Sequence, residues 1–316
     1  MAHHNSGSVA GDNKTGRDNK LGRCARRAFS RRAFFLLGAA AGGCWAAGRS
    51  AWSASPAEDT PTKPYRPDFP LIDCHVHLDG STIEQVAALS QKLGVRFGIV
   101  EHAGTKENQY PKVLSNDQEL REYLSMLEGK GVYRAVQAEW IDWSRCFSSE
   151  MLARLDYALM DAMTFPGKDG RRVKLWEKQA PERVDLSDPE RFMDRFVEWH
   201  VRLISQQPID LLGNTSWLPP VLANRYEQLW TPERVRRVAQ TAAQYGVAME
   251  ISASYRLPKL FFLKIAKECG VRFAFGTNGR YPNMGKLDYC LQVAEALQLR
   301  QTDMFRPGQD RRKVTF

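Results

Sequence analysis

Short apolar runs alternate with helical segments along nearly the whole chain after residue 69. Seven of these runs have the length and composition of buried strands, and they begin at Pro70, Val95, Val132, Asp156, Ile209, Val247 and Val271. Strands that alternate with helices are typical of parallel βα units, in which the helices cover the faces of the sheet. Seven units can close a barrel. The pattern therefore predicts a single α/β domain built as a (βα)7 barrel.

Helix starts between these runs are marked by residues that cap backbone N–H groups. A Ser or Thr three residues before Glu or Gln is a capping signal, and Pro is favoured in the first helical turn. These signals predict helix starts at Ser81 with Glu84, Ser115 with Gln118, Ser187 with Pro189 and Glu190, and Thr231 with Pro232.

One segment, residues 164–186, interrupts the alternation after the fourth predicted strand. It is polar and rich in turn residues, so we predict a long loop. A long loop at this end of a barrel strand is either a lid or substrate contact or a plain surface insertion.

The N-terminal residues differ from the rest of the chain in charge. Residues 1–57 hold nine Lys and Arg against two Asp, a net charge of +7 out of the chain's +9, so residues 58–316 carry +2. Arg31 and Arg32 precede a run of Phe, Leu, Ala and Gly that is too short to predict a membrane span. This arrangement resembles a bacterial twin-arginine signal, which implies export of a folded protein to the periplasm or another extracytoplasmic location.

The predicted domain boundaries follow from these segments. Residues 1–57 are the signal peptide and its linker, residues 58–68 a Pro-rich linker, and residues 69–316 the barrel. A charge of +2 on the remainder is an ordinary surface balance, so we expect no nucleic acid partner. Removal of the signal would leave no stable membrane span, and the oligomeric state is undetermined.

The four Cys of the barrel lack metal-site spacing and are expected mainly as buried apolar residues, with a disulfide left open.

Side chains that can bind a metal ion lie at the predicted strand ends. His75 and His77 end the first strand and, two residues apart, point to the same face. His102 ends the second strand, and Glu139 ends the third. Because the carboxyl ends of barrel strands meet at one face, we expect these four side chains to bind Zn, Mn or Fe. The alternative is that the histidines form hydrogen bonds to loops.

The same segments carry a family resemblance. It lies in IDCHVHLDG, GIVEHAG, QAEW, DYALMDAM, LLGN, MEIS and FGTNGRYPNMGKLDYCLQVAEALQL, which are similar in order and spacing to the motifs of the PHP (polymerase and histidinol phosphatase) domain. The resemblance covers Phe69 to about Leu299. It implies a distorted, TIM-like barrel of seven strands and up to three metal ions that drive hydrolysis of phosphate esters.

The chain departs from that family's pattern at several ligand positions. Met163 and Asn214 replace His, which implies that the third metal site is lost. Arg280 replaces another His, and a unit charge about 4 Å from a divalent ion costs roughly 8 kcal/mol at an effective dielectric near 20. The second site is therefore not expected to bind an ion. The resemblance leaves one divalent ion, Zn, Mn or Fe, or none, at His75, His77, Glu139 and Asn278, with His102 as a further ligand.

The expected function is that of a metal-dependent hydrolase acting on a phosphate ester or another anionic ester. A bound ion would activate water, and Glu101 or Glu250 would transfer the proton. Arg280, Arg256 and Asn214 would bind the small anionic substrate. Arg280 has the alternative role of a salt bridge to Glu101 or Glu250.

Two other functions remain open from the sequence. The first is a catalytically inactive barrel that binds a ligand or a partner, because four ligand positions of the family differ. The second is an amidohydrolase-like enzyme, because His-x-His at a first barrel strand also occurs there. That reading fits less well, because Asn278 stands in the place of the late-strand Asp base and the late-strand histidines are missing.

Overall fold

A computed structural model of the protein describes residues 65–311. Seven parallel strands close a barrel. In order around the barrel they are β1 Ile72–Val76, β2 Arg96–Ala103, β3 Tyr133–Ala138, β4 Tyr157–Asp161, β7 Leu211–Gly213, β8 Ala248–Ser252 and β9 Phe273–Gly276; β5 Thr164–Pro166 and β6 Arg172–Lys174 form a separate hairpin. Each barrel strand begins within one of the seven predicted runs. The prediction of a single α/β domain with a (βα)7 barrel is confirmed.

Helices follow the strands and cover the outside of the barrel. They are α1 Ile83–Leu93, α2 Asp117–Leu127, α3 Ser149–Ala153, α4 Ala180–Arg183, α5 Pro189–Gln206, α6 Tyr226–Leu229, α7 Pro232–Tyr245, α8 Leu260–Glu268 and α9 Asp288–Ala296. The longest of them, α5, buries one face made of residues spaced three and four apart, as a helix packed on a sheet requires.

Three of the four predicted helix starts are one residue too early. The N-caps are Thr82, Asn116 and Asp188, and each side chain accepts a hydrogen bond from the backbone N–H three residues later. Asn and Asp cap at least as well as Ser, so at two of these starts the adjacent residue takes the role. The fourth prediction is correct, because Thr231 caps α7.

The segment 164–186, predicted as a loop, contains regular structure. Strands β5 Thr164–Pro166 and β6 Arg172–Lys174 pair in an antiparallel hairpin, and α4 follows. Phe165 anchors the hairpin by packing against Phe192 and Phe196 of α5. The indole N–H of Trp199 donates to the carbonyl of Thr164 at 2.9 Å. The sparse apolar residues of this segment thus fix a hairpin to the barrel.

Asp73 joins the first barrel strand to the last. It is fully buried, and its carboxylate accepts hydrogen bonds from the N–H and hydroxyl of Thr277, from the N–H of Gly285 and from the N–H of His75. Burial is the largest influence on its pKa and raises it, while these hydrogen bonds oppose the shift. The carboxylate therefore belongs to the closure of the barrel and not to its open end.

The lower interior of the barrel is filled by Tyr157. Its hydroxyl crosses the barrel and donates to the carbonyl of Cys74 at 2.7 Å. A Cβ atom at Gly98 would overlap that hydroxyl, so this strand position requires glycine.

Cys74, Cys146, Cys269 and Cys290 are free thiols. Among residues 65–311, no helix combines the length and the apolar character needed to cross a membrane. The predicted signal peptide, residues 1–57, lies outside the described residues.

Candidate functional site

Three histidines meet at the carboxyl end of the barrel. His75 lies in β1, His77 directly follows it, and His102 lies in β2. The ring centroids of His75 and His77 are 5.3 Å apart, and those of His77 and His102 are 5.0 Å apart. All three side chains are buried. The strand-end positions predicted from the sequence therefore do come together.

His75 uses both of its ring nitrogens within the protein. Nδ1 lies 2.8 Å from Oε1 of Glu250, and Nε2 lies 2.7 Å from Oε1 of Gln137. Both neighbours present oxygen, so both ring nitrogens are placed to donate, an arrangement that favours the protonated ring. Burial, the largest influence, lowers the pKa of His75, but the charge and hydrogen bond of Glu250 raise it, and the net pKa is above its ordinary value.

His77 is the opposite case. Both of its ring nitrogens are buried without a hydrogen-bond partner among the described residues. Burial lowers its pKa well below the ordinary value, and the charges of His75, Arg280 and His102 lower it further. His77 is therefore a neutral imidazole between neighbouring cationic or polar groups.

His102 is oriented by Glu139. Its Nδ1 donates to Oε1 of Glu139 at 2.8 Å, whereas Nε2 makes no hydrogen bond to any described residue. The Glu139 carboxylate also accepts from Gln137 at 2.7 Å, from the Tyr110 hydroxyl at 3.2 Å and from Thr164 at 3.4 Å. Four donors hold this carboxylate in place, so it fixes the tautomer and the ring plane of His102.

Tyr110 covers the outer face of His102. The two rings stack with centroids 3.5 Å apart and planes 6° apart. Burial raises the pKa of Tyr110 above its ordinary value, and the negative charge of Glu139 raises it further, so the phenol stays protonated and donates to Glu139.

The donors at this end of the barrel do not fit a metal ion as they are arranged. Among the described residues, no three His, Cys, Asp or Glu side chains converge in a way that could hold one. Gln137 and Glu250 take both nitrogens of His75, and four donors already surround the Glu139 carboxylate. His77 and Nε2 of His102 are the nitrogens left without a protein partner in this part of the chain. The single metal ion expected from the sequence stays a prediction.

Asp161, at the end of β4, lies beside these histidines. It accepts hydrogen bonds from the backbone N–H of Met163 at 2.8 Å, from Asn214 at 3.4 Å and from Gln137 at 3.4 Å. Burial is the main cause that raises the pKa of Asp161 to about 7, and the charge of Glu139 adds to the rise. A carboxyl group with this pKa can give or take a proton near neutral pH.

Arg280 lies on the rim of the site, where Asp79 and Asn278 hold it. Its Nε donates to Asp79 at 3.0 Å, and its Nη1 donates to both oxygens of Asn278 at 2.8 and 2.9 Å. Its Nη2 has no partner among the described residues. The salt bridge foreseen to Glu101 or Glu250 is thus made to Asp79 instead.

Four residues assigned to catalysis or substrate binding from the sequence are engaged with other groups of the protein. Glu250 is fully buried beside His75, and Glu101 lies 3.6 Å from Lys112 and accepts a hydrogen bond from the backbone N–H of His102. Asn214 is buried; its backbone N–H donates to Glu250 and its side chain to Asp161. Arg256 is exposed and rests over the ring of Tyr289.

A cavity of about 320 Å³ opens above these groups and is called the mouth cavity. It is lined by His102, Tyr110, Gln137, Asp161, Met163, Trp176, Trp217, Tyr255, Asn278 and Arg280. Its floor is polar, its walls are aromatic, and one guanidinium stands at its edge. This combination is typical of a site for a small organic ligand that carries a negative charge.

Sequence reasoning missed several of these residues. Asp161 carried a signal in the sequence, because the alternation of Tyr157, Leu159 and Asp161 points all three to one face. Gln137 could have been recognised as a site candidate, because it is a polar residue inside an apolar strand. Tyr110 and Trp176 lie in connecting segments, where no local pattern indicates a site.

Comparison with solved structures yields similarity at low identity. Histidinol phosphate phosphatase from Lactococcus lactis subsp. lactis Il1403, solved with zinc, L-histidinol and phosphate, is 14% identical; the match covers 75% of this chain and 95% of that one, with a TM-score of 0.45. A truncated 3-deoxy-D-arabino-heptulosonate 7-phosphate synthase from Thermotoga maritima is 10% identical, with 72% and 89% covered and a TM-score of 0.26. No family model matches the chain, and no curated protein sequence matches it. Membership in the PHP family stays a prediction, and the barrel is established by the strand order of the chain itself.

Proposed function

We propose that this protein is a hydrolase that acts on small anionic esters, phosphate esters included, in the mouth cavity. The observation that carries the proposal is the pair formed by His102, which lines the mouth cavity, and Glu139, which is hydrogen-bonded to it, with Nε2 of His102 free of partners among the described residues. A histidine oriented by a carboxylate is a recurrent general base in hydrolases. The free nitrogen can remove a proton from a water molecule held in the cavity.

The other groups of the cavity supply the remaining functions that ester hydrolysis needs. Nη2 of Arg280 is available to the negative charge of the substrate, while Asp79 and Asn278 keep the guanidinium in position. Asp161, whose pKa is raised to about 7 mainly by burial, is partly protonated at neutral pH and can protonate the leaving oxygen. Base, anion-binding group and acid thus line one cavity.

A ligand-binding protein without turnover is the second candidate. It is favoured by the commitment of His75 to Glu250 and Gln137, which leaves that ring unable to bind an ion unless a hydrogen bond breaks. The two candidates share the ligand class and differ in whether product forms.

The proposal is tested by comparing four variants for turnover of a panel of phosphate monoesters, carboxylate esters and lactones. We expect His102→Gln and Glu139→Gln to lower kcat/KM by about 100-fold or more, the usual contribution of a positioned general base. Arg280→Met is expected to raise KM about tenfold, because one charge-assisted hydrogen bond is lost. Arg256→Met is the matched control and is expected to stay within twofold, since Arg256 lies against Tyr289.

Two results would contradict this mechanism. The first is full activity in His102→Gln. The second is about one tightly bound metal ion per purified chain that is lost together with activity in His77→Ala, because that outcome returns the reaction to the metal site expected from the sequence. Ligand binding by the wild type without product from any ester selects the second candidate.

Export also belongs to the proposal. Its support is the sequence of residues 1–57, in which Arg31 and Arg32 precede a short, weakly apolar run. The proposed location is periplasmic or otherwise extracytoplasmic.

A further inference from the structure

The hairpin of β5 and β6 builds a second cavity beside the mouth cavity. This hairpin cavity, of about 660 Å³, is lined among others by Glu107, Asn108, Asp142, Arg172, Lys174 and Glu177. Arg172 and Lys174 lie two residues apart in β6 and face the same side, whereas Val173 between them is buried. The function proposed above uses none of these residues.

Arg172 is neutralised by its neighbours. Its guanidinium forms a salt bridge to Glu107 at 2.7 Å and lies 3.9 Å from Asp142. It also donates to Thr105 at 2.8 Å and to the side chain of Asn108. Arg172 therefore ties the hairpin to the segment after β2 and is not available to a ligand.

Lys174 differs from Arg172 because it forms no salt bridge with any described residue. Its ammonium lies 3.7 Å from the ring centroid of Tyr110 and 5.9 Å from that of Trp176. Burial is the largest influence on the pKa of Lys174 and lowers it, and the charge of Arg172 adds to this, while the negative charges of Glu139, Glu177 and Asp161 oppose the shift. An aromatic face stabilises a cation but leaves its N–H donors unused.

Tyr110 brings Lys174 next to the reactive groups. The imidazole of His102 is stacked at 3.5 Å from the Tyr110 centroid, so the ammonium at 3.7 Å must occupy the opposite face of that ring. Lys174 is thus separated from His102 by the thickness of one aromatic ring. Trp176, which lines the mouth cavity, lies next to the same ammonium.

We propose that Lys174 is a second anion-binding residue of the site, and that the ligand carries a ring and two anionic groups, one received by Arg280 and the other by Lys174. The ring lies in the mouth cavity among Tyr110, Trp176, Trp217 and Tyr255. This inference rests on the proposed function, because the first anionic group is the one placed at Arg280. The inference narrows the substrate of the proposed function to a ring compound with two anionic groups.

The experiment compares probes that differ by one charged group. Dissociation constants are measured at low ionic strength for phenyl phosphate and for 3- and 4-carboxyphenyl phosphate, using the full chain and its tryptophan fluorescence. We expect at least one carboxylated probe to bind about tenfold more tightly than phenyl phosphate. Lys174→Met is expected to remove this preference and to leave the affinity for phenyl phosphate within twofold. Lys178→Met, an exposed lysine of the same segment, is the control and keeps the preference.

The possible failures are distinguishable. If phenyl phosphate binds and Arg280→Met weakens it, but neither carboxylated probe gains affinity, the role of Lys174 is wrong and the proposed function stands. A preference that persists in Lys174→Met also overturns the inference. If phenyl phosphate itself does not bind, the anion site at Arg280 is wrong and both proposals fall.

Discussion

At the scale of single residues, Gln137 determines how the histidines at the barrel end are used. Its side-chain oxygen accepts from His75, and its amide nitrogen donates to Glu139 and, at 3.4 Å, to Asp161. The result is a continuous row of hydrogen bonds from Glu250 through His75, Gln137 and Glu139 to His102. Such a network is costly to disturb, because each member left unpaired would be a buried polar group.

Asp161 gives the protein a pH dependence of known sign. Its pKa is raised from 3.8 to about 7 in the folded state, mainly by burial. Between these values the folded protein keeps a proton that the unfolded chain has released, so the free energy of unfolding falls as pH rises. The bound proton therefore contributes at most about 4 kcal/mol to the free energy of unfolding, at roughly 1.4 kcal/mol per pKa unit.

We expect Asp161→Asn to remove this slope. The variant should gain stability relative to the wild type as pH is raised from 5 to 8, by on the order of 2 kcal/mol. Urea denaturation at both pH values measures the effect, and Asp169→Asn, at an exposed hairpin turn, serves as the control. Parallel pH curves for Asp161→Asn and the wild type would show that this carboxyl group is not buried as described.

At the scale of secondary structure elements, the barrel strands were predictable because each is a short apolar run between turn and capping residues. The hairpin of β5 and β6 was not predictable, because its anchoring depends on Phe165 meeting Phe192 and Phe196, which lie more than 25 residues further along the chain. The helix starts were displaced by one residue because neighbouring side chains compete for the same cap.

The candidate site was predictable only in part, for a related reason. The position of a residue at a strand end places it at the open face of the barrel, which is why His75, His77, His102 and Glu139 were found together. The same argument says nothing about hydrogen-bond partners. The pairing of His75 with Glu250 joins strands 175 residues apart, and only the closed barrel brings them together.

The close contact between Tyr157 of β4 and Gly98 of β2 leads to a prediction about stability. We expect Gly98→Ala to destabilise the protein by about 2 kcal/mol, because the added methyl group overlaps the hydroxyl of Tyr157. In the Tyr157→Phe background the same substitution should cost less, since the hydroxyl is gone. Thermal or urea denaturation of the two single variants and the double variant gives the coupling energy. Strictly additive losses would mean that the two side-chain positions do not share one space.

At the scale of the whole molecule, the chain combines the barrel with an N-terminal segment of very different charge. If residues 1–57 act as a twin-arginine signal, the pair Arg31 and Arg32 is the part that the export machinery reads. The double variant Arg31→Lys with Arg32→Lys is expected to keep the protein in the cytoplasm of a bacterial host. Cell fractionation followed by immunoblotting measures its location.

The chain offers a matched control for this experiment. Arg26 and Arg27 form a second pair five residues earlier, and their double replacement by Lys is expected to leave export intact. Cytoplasmic retention of the wild type, or export of the Arg31 and Arg32 variant at the wild-type level, would contradict the assignment of a twin-arginine signal.

The burial of Asp73 has a consequence for the order of events during synthesis. The donors that satisfy its carboxylate, at Thr277 and Gly285, follow it by more than 200 residues. Until these residues have left the ribosome, the carboxylate lacks these donors and the ring of strands cannot seal. Closure of the barrel must therefore wait until the chain has been synthesised past Gly285.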